Sequence, residues 1–189
     1  MAVSLILSGH TKDLGGGYMI QRLLPAAERP GVGPFVFMDH FGPVTQRPED
    51  SFDVRPHPHI GLATVTYLFE GAMVHRDSLG SVQRIEPGAI NWMTAGRGIV
   101  HSERSPEELR VVPKRIHGLQ LWVGLPLEFE EIEPGFAHTP AAAIPVVATP
   151  LPSQASSTAW TAGKSSWPSL SSTRWPMATA LLPDAGANL

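Results

Sequence analysis

The 189-residue sequence contains no cysteine. This absence excludes disulfide bonds, thiolate nucleophiles, iron–sulfur clusters and cysteine-based zinc sites. Charged residues make up only 16% of the chain and the formal net charge is −3, which argues against general nucleic-acid binding. No apolar run approaches the roughly 18 residues of a membrane span, and no secretory leader is visible. We therefore expect a cytoplasmic protein with no membrane partner and no direct nucleic-acid partner.

Glycine and proline are abundant, at 18 and 19 residues, and they divide the first three quarters of the chain into short β-prone segments. Residues 62–69 (LATVTYLF), for example, are rich in β-branched and aromatic residues and lie between two glycines. Such segments recur about every 8–12 residues, as in antiparallel sandwiches and barrels. We predict an all-β domain over residues 1–147, with brief helical stretches at 105–110 and 127–132.

Residues 148–189 have a different composition. From Pro150 onward there is no Ile, Val, Phe, Tyr, Glu or His, and Ser, Ala, Thr and Pro dominate. Neither a helical nor a strand period is sustained. We interpret this segment as an atypical low-complexity tail, disordered or loosely packed. A change of reading frame near Val147 is an alternative hypothesis for its origin.

Two short motifs carry candidate metal ligands: His57-Pro58-His59 and His101-Ser102-Glu103. Residues at i and i+2 of an extended strand point to the same side. Pro58 supports an extended path, because the residue before a proline avoids the helical region. Two neighbouring strands would therefore direct four ligand atoms to one point. The competing interpretation is two unrelated pairs of surface or core side chains.

Three neutral imidazoles and one carboxylate form a donor set that suits Fe(II), Mn(II), Ni(II), Cu(II) or Zn(II) and suits Ca(II) poorly. Four protein ligands on an octahedral ion leave two positions open for substrate, water or dioxygen. A closed tetrahedral structural zinc site is the other use of four ligands. The residues by themselves leave the metal open.

Two further polar pairs are interpreted as structural. His75 and Asp77 also lie at i and i+2, and we predict a solvated turn between strands, with a pocket-rim role as the alternative. Asp39 and His40 precede the sequence Phe-Gly-Pro, and we predict that they stabilise a turn there.

Longer stretches around the metal motifs resemble the pirin family of the cupin superfamily. Residues 55–61 (RPHPHIG) with 64–68 (TVTYL) resemble the first cupin motif in its pirin version, and residues 87–103 (PGAINWMTAGRGIVHSE) resemble the second. Residues 37–43 and 117–123 are also pirin-like. The resemblance extends from about residue 14 to residue 147.

The resemblance implies a cupin-type antiparallel β-barrel, equivalent to the N-terminal barrel of a two-barrel pirin. The second barrel is expected to be largely missing, because residues 148–189 do not resemble it. The resemblance also implies one metal, usually iron, held by His57, His59, His101 and Glu103. We therefore predict Fe(II), with Mn, Ni, Cu and Zn as alternatives.

The function implied by the resemblance is that of a quercetin 2,3-dioxygenase, an oxidoreductase that opens a flavonol ring with O2. Glu103 would be the catalytic residue, serving both as ligand and as the base that takes the proton of the 3-hydroxyl. One alternative is a non-enzymatic, iron-dependent redox sensor that acts through a protein partner as a transcription co-regulator. Another is an inactive, truncated relic.

Overall fold

The computed structural model describes residues 5–15, 17–50 and 52–145. Within these ranges the chain forms eleven β-strands and three short 3-10 helices. All of these strands belong to one compact unit, Leu7–Thr149. The strands are β1 (His10–Asp13), β2 (Met19–Leu24), β3 (Phe35–Gln46), β4 (Val54–His59), β5 (Leu62–Glu70), β6 (Met73–Asp77), β7 (Val82–Ile85), β8 (Ile90–Thr94), β9 (Ile99–Arg104), β10 (Lys114–Gly124) and β11 (Gly135–Thr139).

The strands are arranged in two sheets. The larger sheet has seven strands in the order β1-β2-β3-β10-β5-β8-β11, and the smaller has four in the order β4-β9-β6-β7. Every strand pairing is antiparallel. The predicted all-β, antiparallel architecture is therefore confirmed. Because the order interleaves early and late strands, segments that are distant in sequence become neighbours.

A hydrophobic core joins the two sheets. Leu68 on β5 of the larger sheet and Ile85 on β7 of the smaller sheet are 0% and 1% exposed. The other buried members of this cluster are Tyr18, Ile20, Phe41, Met73, Ala89 and Ile116. Their burial is favourable by about 25 cal/mol for each Å² of apolar surface removed from water. This packing holds the four-stranded sheet against the larger sheet.

The turn predicted at Asp39 and His40 is wrong, because both residues lie inside the long strand β3. This strand pairs with β2 on one side and with β10 on the other. The pairing with β2 extends to Phe41, and the pairing with β10 continues on both sides of Gly42 and Pro43 with a register shift between them. Asp39 instead forms a bidentate pair with Arg22, whose Nε and Nη2 each donate to one carboxylate oxygen over 2.8 Å.

The two stretches predicted as helical contain only 3-10 helices of three residues, Glu107–Leu109 and Leu127–Phe129. A third 3-10 helix spans Ala141–Ala143. Each follows a proline and ends after a single turn. The helical signal at these places therefore marks connections between strands.

None of the helices within the described ranges has the length and apolar character needed to cross a membrane. The predicted domain boundary at 147/148 and the predicted tail 148–189 lie outside the described residues. The reading-frame hypothesis concerns the same segment and stays a prediction.

Candidate metal site

The candidate site is built on two neighbouring strands of the smaller sheet. β4 carries His57 and His59, and β9 carries His101 and Glu103. The antiparallel register places His57 directly opposite His101. The two predicted motifs are therefore brought side by side, although more than forty residues of chain separate them.

A sharp turn between β8 and β9 determines where β9, the strand that carries His101, begins. Gly96 in this turn has φ of +50°, a left-handed conformation that L side chains rarely adopt. A Cβ at this position would also overlap the carbonyl oxygen of Ile132. Only glycine permits this close approach, so Gly96 is needed for the turn that leads into β9.

Three histidines meet at the site. His57, His59 and His101 can each offer one ring nitrogen such that all three nitrogens lie within 4.8 Å of one another. The ring centroids are 4.4 Å apart for His57 and His101, 4.8 Å for His57 and His59, and 5.0 Å for His59 and His101. Three side chains can thus contribute one ligand atom each to a single ion.

Hydrogen bonding shows which ring nitrogens are available. Nδ1 of His57 lies 2.8 Å from the carbonyl oxygen of Arg55, so Nδ1 is the donor and Nε2 is left with a free lone pair. Nε2 of His101 is buried and has no hydrogen-bond partner among the described residues. An unsatisfied buried polar atom costs about 1–3 kcal/mol. A metal ion at this place would satisfy it, so the donor set fits the ion that the sequence predicts.

Glu103 is also buried, at 5% exposure, and its Oε2 has no hydrogen-bond partner among the residues described. Its Oε1 lies 3.3 Å from Nδ1 of His101. The group of ligand atoms within 4.8 Å nevertheless comprises the three histidines without Glu103. Three of the four predicted ligands therefore converge, and the role of Glu103 as the fourth ligand and as base stays a prediction.

The imidazoles of His59 and His101 are neutral at pH 7. Burial, with a smaller contribution from His57, lowers the pKa of His59 to about 4. Burial and the neighbouring His57 and His59 lower the pKa of His101 to about 3. Metal ligation requires the neutral ring, so these shifts keep the histidines in the binding form. Burial acts in the opposite direction on Glu103 and raises its pKa to about 8.

Comparison with known proteins agrees with the fold. The sequence profile of the family named Pirin matches residues 17–123, more than half of the chain. The chain belongs to the pirin family. Its relatives include a pirin-like protein of Caulobacter vibrioides that is 54% identical over 138 residues, which cover 72% of this chain and 47% of the relative.

Two further relatives carry functional names. A protein of Pseudomonas aeruginosa named "Putative quercetin 2,3-dioxygenase PA1205" is 44% identical over 135 residues, covering 71% of this chain and 41% of its own. The crystal structure of a quercetin 2,3-dioxygenase from Acinetobacter baumannii matches with a TM-score of 0.70 and 41% identity, covering 77% of this chain and 46% of that structure. The present pirin chain thus spans less than half the length of each of these relatives, and its cupin-type fold is confirmed.

The pirin site has a further layer that the sequence analysis misplaced. His75 and Asp77 were expected in a solvated turn, but they lie on β6, and their side chains are 5% and 0% exposed. The register of β6 against β9 places His75 opposite Glu103 and Asp77 opposite His101. The spacing of histidine and aspartate at i and i+2 was the available signal, since it repeats the spacing of the ligand motifs.

Aromatic side chains from the larger sheet close the site beside His59. The ring of Trp122 on β10 lies edge-on to His59, with centroids 5.0 Å apart. Phe37 on β3 stacks on Trp122 at 4.1 Å. The guanidinium of Arg22 lies over Phe37 at 4.4 Å from the ring centroid. Trp122 and Phe37 thus form an aromatic wall that reduces the access of water to His59.

Proposed function

We propose that this pirin binds a divalent transition metal and acts as a quercetin 2,3-dioxygenase-type oxidoreductase that opens a flavonol with O2. The observation that carries the metal part is the cluster of His57, His59 and His101, in which a buried Nε2 of His101 has no partner among the described residues. The substrate class is taken from the names of the relatives in Pseudomonas aeruginosa and Acinetobacter baumannii.

Glu103 completes the proposed ligand set, and Fe(II) is the proposed metal, with Mn(II), Ni(II), Cu(II) and Zn(II) as alternatives. When bound, such an ion acts as a Lewis acid that lowers the pKa of a substrate hydroxyl and orients the substrate. His59 and His101 supply neutral nitrogen ligands without a change of protonation at pH 7, because burial lowers their pKa values well below that pH.

Glu103 is proposed to handle the proton of the reaction. Burial favours its protonated form, so it ionises at neutral pH only where a neighbouring positive charge offsets the burial. The ionised carboxylate accepts the proton of the flavonol 3-hydroxyl at Oε2, the oxygen without a hydrogen-bond partner among the described residues. The proton moves from the substrate oxygen to the carboxylate, and the substrate is left as the oxyanion.

The aromatic wall is proposed to orient the substrate. Trp122 and Phe37 present stacked apolar rings beside His59. Flat aromatic ligands pack well against such rings, and aromatic pairs contribute about 0.5–1.5 kcal/mol beyond the burial of their area. The wall also excludes water next to the reacting oxygen.

The test is to load the purified chain with Fe(II) under anaerobic conditions, measure metal content, and then add quercetin and oxygen. We expect about one metal per chain and loss of the flavonol absorbance. His57→Ala and His101→Ala should lose the metal and the activity, whereas His10→Ala, an exposed histidine on β1, should retain both. Full metal content in either site variant would contradict the site.

A second proposal is the metal-dependent regulatory protein that signals through a protein partner. The histidine cluster supports it as well, because three converging imidazoles can hold a metal whether or not a substrate binds. Intact metal without loss of quercetin absorbance supports this alternative. An inactive relic is supported instead by absence of metal together with a weak β signal in circular dichroism. A cytoplasmic location stays a prediction.

A further inference from the structure

Behind His101, on the side away from its unpartnered Nε2, lie two buried side chains that the proposed ligand set does not include. Nδ1 of His101 is 3.4 Å from Nδ1 of His75 in hydrogen-bond geometry. Nε2 of His75 is 2.9 Å from Oδ2 of Asp77. The rings and the carboxylate form a continuous row from β9 into β6, and each side chain is at most 5% exposed.

The direction of these hydrogen bonds is determined at the Asp77 end. Oδ1 of Asp77 accepts the backbone N–H groups of Leu79 at 2.9 Å and of Ser81 at 3.0 Å. A backbone N–H can only donate, so Oδ1 is the acceptor in both of these hydrogen bonds. Oδ2 then faces His75 and, as a carboxylate oxygen, accepts. His75 therefore carries its proton on Nε2.

The protonation of His75 determines that of His101. A neutral His75 with its proton on Nε2 has a bare Nδ1, which can only accept. Because this Nδ1 faces Nδ1 of His101, the latter nitrogen must be the donor. Oε1 of Glu103 also lies 3.3 Å from the same nitrogen. His101 is then left with a free lone pair on Nε2, the buried atom that has no partner among the described residues.

The orientation of His75 is held by packing as well. Its ring stacks on Phe136 of β11, with centroids 4.3 Å apart and an interplanar angle of 16°. This stacking keeps both ring nitrogens in line with their partners. The row of hydrogen bonds is thus supported from the larger sheet, to which β11 belongs.

We propose that Asp77 and His75 are positioning residues that hold His101 in the Nδ1–H tautomer and so keep Nε2 free to bind the metal. This inference rests on the metal-binding part of the proposed function and does not depend on the substrate. Partners in the layer behind a metal ligand fix its tautomer and orientation, and their loss weakens metal affinity by about 10–100-fold.

The sharpest variant is Asp77→Asn. In this variant the N–H groups of Leu79 and Ser81 still need an acceptor, so the amide oxygen takes the place of Oδ1. The amide nitrogen then points to His75 and donates. His75 must then accept at Nε2 and carry its proton on Nδ1. The proton on Nδ1 of His75 then faces the proton on Nδ1 of His101. His101 therefore changes to the Nε2–H tautomer, in which Nε2 cannot bind a metal. We expect the affinity for Ni²⁺, measured by calorimetry, to fall about 10–100-fold.

His75→Phe is the matched variant, because the phenyl ring retains the stacking on Phe136 and removes both hydrogen bonds. This variant places no opposing proton next to Nδ1 of His101, so the loss of affinity should be smaller than for Asp77→Asn. In the His75→Phe background, Asp77→Asn should cause no further loss, since the two residues act in one row. A further loss of the same size would mean that Asp77 only supports its own turn, and would overturn the proposal.

The tautomers can also be read without metal, by ¹⁵N NMR of the histidine rings near neutral pH. We expect His101 to carry its proton on Nδ1 in the wild type and on Nε2 in Asp77→Asn. A wild-type His101 protonated on Nε2 would overturn the inference whether or not the chain binds metal. A wild type that has the expected tautomer and binds no Ni²⁺ would refute the proposed function alone. Equal Ni²⁺ affinity of wild type and Asp77→Asn would refute the positioning role alone.

Discussion

Two buried carboxylates in this protein have opposite surroundings. Asp39, on the larger sheet, is 4% exposed and receives two hydrogen bonds of 2.8 Å from the guanidinium of Arg22. Glu103, on the smaller sheet, is 5% exposed, and its Oε2 has no partner among the described residues. A buried charge is costly unless it is paired and hydrogen-bonded. The carboxylate of Asp39 is therefore compensated by its partner within the fold, whereas Oε2 of Glu103 is not compensated by any described residue.

The largest expected effect comes from breaking the paired carboxylate. Asp39→Ala leaves the guanidinium of Arg22, whose side chain is 16% exposed, without its partner. We expect a loss of about 3 kcal/mol in the free energy of unfolding, the lower end of the range for buried pairs. Urea denaturation of the metal-free protein measures it. The matched control is Glu133→Ala, which removes an exposed partner of Arg97 and should change stability by less than about 1 kcal/mol. Similar losses in both variants would contradict the distinction.

Replacement of Glu103 should change the free energy of unfolding in the opposite direction. Glu103→Gln replaces a side chain whose charged form is disfavoured by burial, so the metal-free protein should gain about 1–3 kcal/mol near pH 8. The same variant should bind metal more weakly, because it loses the carboxylate ligand. Thermal unfolding with and without Ni²⁺ measures both effects. Destabilisation of the metal-free variant would show that Glu103 is a structural residue like Asp39.

The pH dependence of the metal-free protein sharpens the comparison. His59 and His101 have pKa values of about 4 and about 3 in the folded chain, against an ordinary 6.5, so their contribution to stability is complete above pH 6.5 and is lost as pH falls. Glu103 has a pKa of about 8 against an ordinary 4.5, so the folded state holds the extra proton between these values. Stability therefore falls as pH rises through this window.

Burial also lowers the pKa of His40, His75 and His117, so these histidines add to the rise of stability with pH that Glu103 opposes. Stability should therefore reach a maximum between pH 6.5 and about 8, where the unfolded chain's histidines have lost their protons and the folded Glu103 still holds its proton. Urea denaturation across this range should reveal the maximum in the wild type, and Glu103→Gln should lack the decline that follows it. A wild-type profile that rises throughout this range would be inconsistent with a protonated Glu103.

The smallest effect is expected when the paired carboxylate and its partner are replaced together. Arg22→Met with Asp39→Leu exchanges a buried ion pair for apolar side chains, a change that is often close to neutral. We expect a loss of about 1 kcal/mol from the contact of Arg22 with Phe37, which the double variant weakens. A loss as large as that of Asp39→Ala alone would show that the charge pair itself stabilises the fold.

The metal motifs could be predicted because their geometry is local. Residues at i and i+2 share one side of any extended strand, so the sequence alone predicts that His57 and His59 can bind the same ion. The same local rule applies to His75 and Asp77, yet it does not decide whether a pair faces solvent or the interior. Burial depends on the neighbouring strand, and here that strand is β9.

Asp39 shows a second limit of prediction from the local sequence. Its position before Phe-Gly-Pro favours a turn on local grounds, but β2 and β10 pair with both edges of β3 and extend the strand past this point. The partner of Asp39, Arg22, lies seventeen residues earlier and is brought opposite by the register of β2 and β3. Such a pairing requires knowledge of which strands are neighbours.

The sequence by itself determined the all-β character, the short strands and the spacing of the candidate ligands, because strand propensity, turn residues and the two-residue repeat act over a few neighbouring positions. Only the tertiary structure decided that β4 lies beside β9, that His75 and Asp77 stand behind His101, and that both carboxylate oxygens of Asp39 are hydrogen-bonded whereas Oε2 of Glu103 has no partner among the described residues. These features depend on strand order and register. Both arise from contacts between segments far apart in the chain, which local patterns do not specify.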